Sequence, residues 1–198
     1  MQNYELYTIL HPELTATQVD SEIESMQNLV TKHVDTQNMQ VQKEGLKKLA
    51  YKIKKNATGF YVLTTFDVDD KGKKNFSEVE KVLNINTNLL RYIVVNLTEY
   101  NKASSKQKLR KDPEFTHQRE LNKGKSNNKI CICKYLGIEA IDYKDAEFLN
   151  QFTSPYSKIF GRDRTGTSSK MHRKITVSIK RARHMALMSF TPQIDRAY

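Results

Sequence analysis

The sequence predicts an α+β protein that consists of an antiparallel sheet with two helices, a basic linker and a small, mostly α-helical module. Three observations support this prediction. Residues 1–100 alternate β-branched and aromatic runs with two stretches of helical periodicity. Residues 101–128 are rich in Lys, Ser, Gln and Asn and nearly lack apolar side chains, which is typical of a flexible linker. Residues 129–198 regain helical periodicity, so the predicted domains are 1–100 and 129–198, joined by the linker.

The first strand and the first helix are predicted from the opening of the chain. Residues 4–10 form a β-branched and aromatic run that ends at a His-Pro pair, as strands often do. Thr15 and Gln18 have the spacing of a capping box, in which each side chain bonds to the other residue's backbone N–H. We therefore expect a helix over residues 16–34. Its apolar residues at helical spacing are Val19, Ile23, Met26 and Val30.

The next stretch predicts a β-hairpin. Residues 39–43 and 46–53 read as one strand interrupted at Gly45, where a glycine suits a β-bulge. Residues 60–68 read as the returning strand, and residues 56–59 as the turn before it. The end of the first of these strands is cationic. Its lysines are Lys47, Lys48, Lys52, Lys54 and Lys55.

A second helix and a fourth strand complete this part of the chain. Ser77 and Glu80 are spaced as a second capping box at the start of a short helix. Residues 89–97 are rich in Leu, Ile and Val, as in a buried strand. The element order is therefore βαββαβ, which is that of a ferredoxin-like sandwich with both helices on one face of the sheet. We expect the other face to be open for an interaction.

Positive charge is concentrated in the second half of the chain. The formal net charge of +11 divides into −1 for residues 1–100, +5 for residues 101–128 and +7 for residues 129–198. A surplus that served only solubility would be spread over the whole chain. A near-neutral scaffold followed by a basic region instead indicates a contact module for RNA or DNA.

The cations are densest in residues 165–188, which we expect to form one helix after a short polar loop. No acidic residue occurs between Arg164 and Leu187, and an uncompensated cationic surface favours a polyanionic partner. The alternative is a solvated, lysine-rich surface helix. Apolar residues at three- and four-residue intervals predict one narrow stripe that docks on a core. The stripe consists of Met171, Ile175, Ile179, Ala182 and Ala186.

Candidate RNA-binding residues follow from this distribution of charge. Lysine and arginine neutralise phosphates, and arginine also stacks on unpaired bases. Backbone N–H groups and hydroxyls before a helix can hold a phosphate. Lys47, Lys48 and Arg91 form a second set, each of which could instead be an ordinary exposed strand-edge charge. The first set consists of Lys158, Arg162, Arg164, Thr165, Gly166, Thr167, Lys170, Arg173, Lys174, Lys180, Arg181 and Arg183.

Catalytic and metal-binding functions have little support in the sequence. The histidines are scattered, and no glycine-rich phosphate loop or nucleophile motif occurs. Asp67, Asp69 and Asp70 could hold a metal but also suit a polar turn. Cys131 and Cys133 are too close for a useful disulfide and lack the further ligands of a zinc site. We therefore expect a protein that is not an enzyme and has no cofactor.

Membrane association is also not expected. No stretch of the sequence approaches the roughly 20 apolar residues that cross a bilayer. The chain opens with a strand-like run rather than a signal or transit peptide. We therefore expect the protein to work where it is made.

Two groups of motifs resemble two protein families. Residues 129–190 resemble the eighteenth protein of the bacterial small ribosomal subunit, through KIC at 129–131, IDYKD at 141–145, KI at 158–159, TGT at 165–167 and IKRAR at 179–183. Residues 1–97 are similar to the sixth protein of the same subunit. The matching residues there are YEL at 4–6, HP at 11–12, Gly45, LAY at 49–51 with Ile53, YV at 61–62 and LR at 90–91.

The resemblance implies a function for the chain as a whole. In this family pair the two proteins form a heterodimer on the platform of the small subunit and bind the central domain of its ribosomal RNA. The chain would then be a fusion protein, a structural constituent whose two halves form a tethered heterodimer beside neighbouring ribosomal proteins. It would reside in the ribosome, in a bacterial cytoplasm or in an organelle that encodes its own ribosomal proteins. The alternative is a free RNA-binding regulator of translation.

Overall fold

The structure of this 198-residue chain is a computed structural model. The predicted linker and Cys131 lie outside the residues that it describes. The predicted domain boundaries therefore stay a prediction, as does the expected lack of a zinc site. Residues 1–69, 75–98, 133, 138 and 140–191 are described.

The chain forms two compact units. The first consists of Met1–Glu99 together with Arg183–Ser189, and the second of Tyr100–Ala182 together with Phe190–Tyr198. A short segment from late in the chain thus belongs to the same unit as the N-terminal sheet. The boundaries expected from the sequence place this segment with the C-terminal domain instead.

The first unit is built on one antiparallel sheet with the strand order β2-β3-β1-β4. Strand β1 lies inside the sheet and pairs with both β3 and β4, so β2 and β4 are the edges. The predicted α+β class and βαββαβ ferredoxin-like order are confirmed. The elements are β1 (Gln2–Leu10), α1 (Ala16–His33), β2 (Thr36–Ile53), β3 (Asn56–Val68), α2 (Phe76–Ile85) and β4 (Leu89–Asn96).

Helix α1 begins at the predicted capping box. The backbone N–H of Gln18 donates to Thr15 Oγ1 at 3.4 Å, and the N–H of Thr15 donates to Gln18 Oε1 at 2.9 Å. The predicted apolar face of α1 is buried against the sheet residues Leu6, Leu10 and Phe66. Burial of these side chains is the main force that holds the helix on the sheet.

Helix α2 begins differently from the prediction. Its N-cap is Asn75, without a side-chain capping bond, while Ser77 and Glu80 lie inside the helix. The predicted second capping box is therefore wrong. Phe76 packs against the ring of Tyr4 with the centroids 4.7 Å apart. Because this contact holds the first residue of α2 against the core, tertiary packing sets the start of the helix.

The β2–β3 hairpin turns at a pair of lysines. Lys54 and Lys55 have φ values of +46° and +72°, and Ile53 pairs with Asn56 across the turn. The predicted turn at residues 56–59 is therefore wrong. Positive φ at both central residues gives a tight turn whose twist suits a hairpin, but Asn-Gly is the usual sequence there. A pair of lysines carries no such signal.

Strand β2 contains two irregularities. The predicted bulge at Gly45 is confirmed, since the register shifts there and Gly45 has a φ of +85°. A wider bulge lies near the hairpin end. Strand β2 runs from Lys48 to Ile53 while its partner β3 runs only from Thr58 to Asn56. The intervening residues of β2 are thereby released from pairing with β3.

Gly59 lies where the sheet has no room for a side chain. A Cβ atom at this position would lie 2.5 Å from Ile9 Cγ2 and 3.4 Å from Leu10 O. We expect Gly59→Ala to lower the free energy of unfolding by roughly 1–3 kcal/mol, because the buried side chain of Ile9 must move out of its packed position. Urea denaturation measures this change. The control is Gly161→Ala, whose Cβ would meet nothing within 4 Å; equal effects of the two variants would contradict the packing argument.

The described part of the second unit is helical, as predicted. Asp145 caps its first helix by accepting the N–H of Phe148 at 3.0 Å. Asp142 accepts the N–H of Lys144 at 2.9 Å in a turn before the helix. The helices are α3 (Ala146–Asn150), α4 (Arg162–Thr165) and α5 (Ser169–His184), the last of which ends in the first unit.

The buried apolar residues of the second unit lie on α5 and in and near α3. Leu149 and Phe152 are buried, as are Ile175 and Ile179 on α5. Ser178 is also buried on α5, and its hydroxyl donates to Ile141 O at 3.1 Å. The periodicity of apolar residues did not include Ser178, whose polar group is accommodated by this hydrogen bond. Among the helices that the structure describes, none is long and apolar enough to span a membrane.

Candidate nucleic-acid interface

The predicted cationic helix is α5, but it is shorter than expected. It ends at His184 rather than continuing to residue 188, and Ala186 has a φ of +51°. The predicted stripe is buried at Ile175, Ile179 and Ala182, each 0% exposed, whereas Met171 at the start of the helix is only half-buried. Because the stripe faces the core, the remaining faces of α5 are left for the cations.

A short polar loop joins α4 to α5, as expected from the sequence. Gly166 has a φ of +66° and donates its N–H to Arg162 O at 2.8 Å. Thr165 Oγ1 lies 2.9 Å from Thr167 Oγ1, and Thr167 is only 3% exposed. The hydroxyl of Thr167 is therefore used to build the loop. Contact of this loop with a phosphate stays a prediction.

Most predicted cations of α4 and α5 are exposed. Arg162 bonds to the hydroxyl of Ser169, which places this cation beside the first turn of α5. The guanidinium of Arg164 lies 4.0 Å from the ring centroid of Phe160, and this contact orients the cation. Lys174 and Arg181 are half-buried. The exposed members of the set are Lys158, Arg162, Arg164, Lys170, Arg173 and Lys180.

Arg183 differs from the other cations. It is half-buried within the first unit, and its carbonyl oxygen accepts the hydroxyl of Tyr51 at 2.7 Å. Burial lowers the pKa of its guanidinium. The structure thus separates Arg183 from the exposed cations of α5, although the sequence grouped them.

The face of the sheet that was expected to be open is occupied by part of the same chain. We call Arg183–Ser189 the docking segment, because it belongs to the first unit and bonds to the strands. The wide bulge of β2 provides two of the donors. The hydrogen bonds run from Tyr51 Oη to Arg183 O (2.7 Å), from Tyr61 Oη to Met185 O (2.8 Å), from Ala50 N to Ala186 O (2.8 Å), from Arg91 Nη1 to His184 O (3.1 Å) and from His184 Nε2 to Tyr92 O (3.0 Å).

The three cations of the second predicted set, Lys47, Lys48 and Arg91, have different surroundings in the structure. Arg91 Nη1 donates both to His184 O and to Tyr51 Oη, the latter at 2.9 Å, so its charge is directed at the docking segment. Lys47 forms an ion pair with Glu44 at 2.8 Å. Lys48 is exposed.

Sequence reasoning missed the tyrosines that hold the docking segment. Tyr51 and Tyr61 look like ordinary aromatic residues of β strands, and their partners lie more than a hundred residues later in the chain. Both belong to motifs of the resemblance, LAY at 49–51 and YV at 61–62, but nothing in these motifs shows that their hydroxyls bond to a later segment. The buried Met185 was likewise not distinguished from the rest of the predicted helix.

Two buried tyrosines on this face predict a loss of stability at high pH. The pKa of Tyr7 is raised above about 10, first by burial and then by its hydrogen bond to Glu44, and burial raises that of Tyr61. Both stay protonated in the folded state while the unfolded chain ionises. Stability is therefore fully present below pH 10 and falls above it by about 1.4 kcal/mol per pH unit for each tyrosine.

Denaturation curves recorded between pH 9 and pH 11.5 test this prediction. Tyr7→Phe or Tyr61→Phe should each make the fall less steep by about 1.4 kcal/mol per pH unit, since each removes one ionising group from the unfolded chain. Tyr156→Phe, which changes a tyrosine that is 74% exposed, is the control. Identical profiles for all of these proteins would contradict the linkage to buried tyrosines.

Comparison with known proteins finds one family in the N-terminal part of the chain and another in the C-terminal part. The family of ribosomal protein S6 matches residues 3–96, and the family of ribosomal protein S18 matches residues 137–188. Small ribosomal subunit protein bS18 of Flavobacterium johnsoniae is 43% identical over 86 residues, which cover 43% of this chain and 88% of that protein. The bS18 protein of Listeria welshimeri is 49% identical over 70 residues, covering 35% and 89%.

A solved structure is also similar to part of this chain. The crystal structure of ribosomal protein S6 from Thermotoga maritima is 23% identical, covers 53% of this chain and 95% of that protein, and has a TM-score of 0.47. The two family matches occur in the order that the motifs predicted. Both families consist of structural proteins of the ribosome and not of enzymes. The chain belongs to the ribosomal protein S18 family and carries an S6 family domain before it, so it is a small-subunit ribosomal protein in which the two families are fused.

Proposed function

We propose that the chain binds the central domain of the small-subunit ribosomal RNA, on the platform of the subunit, with its S6 and S18 segments acting as a tethered heterodimer. The observation that carries the RNA-binding part is the cationic surface of α5. From Lys170 to Arg183 the helix contains no acidic residue, and its apolar stripe is buried against the core. The charged faces are thus left for a polyanion.

Phosphate contacts would supply most of the affinity. Each cation that neutralises a phosphate releases a counterion, so binding weakens steeply as salt rises. The contact of Arg164 with Phe160 and the bond from Arg162 to Ser169 hold two of these side chains in place before RNA arrives. Less side-chain freedom is then lost on binding.

The docking segment supports the heterodimer part of the proposal. Residues 183–188 lie at the end of the S18 match, while Tyr51, Tyr61 and Arg91 lie in the S6 match. The hydrogen bonds between them give three backbone carbonyls of the docking segment donors from the strands. Residues from the two families therefore share one compact unit.

A salt titration of binding to a central-domain RNA transcript tests the RNA contact. We expect Lys170→Ala/Arg173→Ala to lower the affinity and to reduce the slope of log K against log salt by about 1.5–2, because two phosphate contacts are lost. Both residues are exposed, so the fold should be retained. The control, Lys32→Ala/Lys81→Ala, removes the same charge from α1 and α2. Equal slopes for the two double variants would count against the proposal.

A further inference from the structure

The tip of the β2–β3 hairpin carries an uncompensated positive charge. From Gly45 to Phe66 the sequence contains no acidic residue. We define the lysine tip as the lysines of this stretch that are exposed at or near the turn. They are Lys48, Lys52, Lys54 and Lys55.

Within the part of the chain that the structure describes, other residues do little to neutralise this charge. Lys54 Nζ donates to Leu89 O at 3.3 Å, which leaves its charge unpaired by any carboxylate that the structure describes. Lys48, Lys52 and Lys55 form no hydrogen bond or ion pair through their side chains within the described ranges 1–69, 75–98 and 140–191. By contrast, the neighbouring Lys47 is paired with Glu44. The lysine tip is therefore available to an external anion.

The turn itself would fold better with other residues. Lys54 and Lys55 both adopt positive φ, which is the conformation that favours Asn and Gly over residues with long side chains. Asn56 supports the turn, because its side-chain Nδ2 donates to Lys54 O at 3.3 Å and lies 3.1 Å from His11 Nε2. Two lysines at the most strained positions of the hairpin indicate a role for their charge rather than for the turn.

The chemistry of the tip favours the backbone of RNA over its bases. All the cations are lysines, which act as point charges on phosphate, and none is an arginine that could fork across a base edge. The nearby aromatic side chains are engaged elsewhere, since Tyr51 bonds to the docking segment and Phe60 packs against the core. No stacking platform is therefore left at the tip among the residues that the structure describes.

We propose that the lysine tip is a second RNA contact of this chain, separate from α5, and that it binds phosphates without reading sequence. This inference rests on the proposed binding of ribosomal RNA. It assigns to the S6 segment its own electrostatic contribution. The predicted RNA site lay mainly on α4 and α5, with only Lys48 of the tip among its second set.

The test replaces Lys54 and Lys55 by Asn and Gly, which are the usual residues of a hairpin turn with two positive φ values. In the full chain, Lys54→Asn/Lys55→Gly should keep or raise the melting temperature, because Asn-Gly suits both positive φ values. The same variant should lower the affinity for the central-domain transcript several-fold at about 0.1 M salt and reduce the salt slope by about 1.5–2. The charge-matched control is again Lys32→Ala/Lys81→Ala, which should leave the affinity nearly unchanged.

A second variant tests whether the loss of affinity comes from the lost charge or from a changed conformation of the turn. Lys48→Ala/Lys52→Ala removes two charges without touching Lys54 or Lys55, and it should reduce the salt slope by a similar amount. If both tip variants bind the transcript like the parent while Lys170→Ala/Arg173→Ala is weakened, the inference is wrong and the proposed function stands. If the unmodified chain itself does not bind the transcript, the proposed function fails. The inference then fails with it, and the lysine tip would have to bind a different polyanion, such as an acidic protein.

Discussion

Ile179→Asp is expected to unfold the helical part of the chain. Ile179 is 0% exposed and lies on α5 between the equally buried Ile175 and Ala182. An ionised carboxylate at this position would be surrounded by apolar side chains and would have no cationic partner in the stripe. Leaving a charge buried and unpaired lowers the free energy of unfolding by roughly 3–5 kcal/mol, which is a large part of the stability of a small domain. Urea denaturation followed by circular dichroism measures the change.

The same helix offers a matched control. Val177 is 39% exposed, so Val177→Asp introduces the same charge on α5 where water can solvate it. We expect this control to remain folded within about 0.5 kcal/mol of the parent. It should also bind RNA less tightly, because it adds a negative charge to a cationic surface. A folded and RNA-competent Ile179→Asp protein would show that the stripe is not buried.

Cutting the linker is expected to weaken RNA binding at low protein concentration. A flexible linker of the length of residues 101–128 has an end-to-end distance of about 30 Å. It would hold the two halves at an effective concentration on the order of millimolar. After cleavage the halves must find each other in solution, so nanomolar protein should lose the contribution of the partner half. The expected loss is at least tenfold in apparent affinity.

A protease site placed near Ser126 makes this experiment direct. The uncut protein with the inserted site is the control for the insertion itself. Raising the concentration of the cut halves should restore binding, because mass action replaces the tether. Unchanged binding of the cut protein at every dilution would show that the covalent join contributes nothing to affinity.

Elements that depend on nearby residues could be predicted from the sequence. The capping box of α1 involves Thr15 and Gln18, three residues apart, and it was found correctly. The bulge at Gly45 was also found, because glycine favours the positive φ that it adopts. In both cases the signal and the structure lie within the same few residues.

Elements that depend on distant contacts were missed. The start of α2 is set by packing of Phe76 on Tyr4, and the end of α5 by the return of the chain to the sheet. In the candidate site, too, local features could be predicted from the sequence and those set by distant contacts could not. The sequence located the cations, but whether a given cation faces solvent or an internal carbonyl depends on partners far along the chain, as Arg91 and His184 illustrate.

The central claim is that the fused S6 and S18 segments sit together on the ribosomal RNA of the small subunit. A cryo-EM map of small subunits purified from the source cells tests it most directly. We predict density for both segments side by side on the platform, with the exposed cations of α5 against phosphates of the central domain. Subunits that lack the chain, while it is recovered bound to messenger RNA as a free regulator, would contradict the claim.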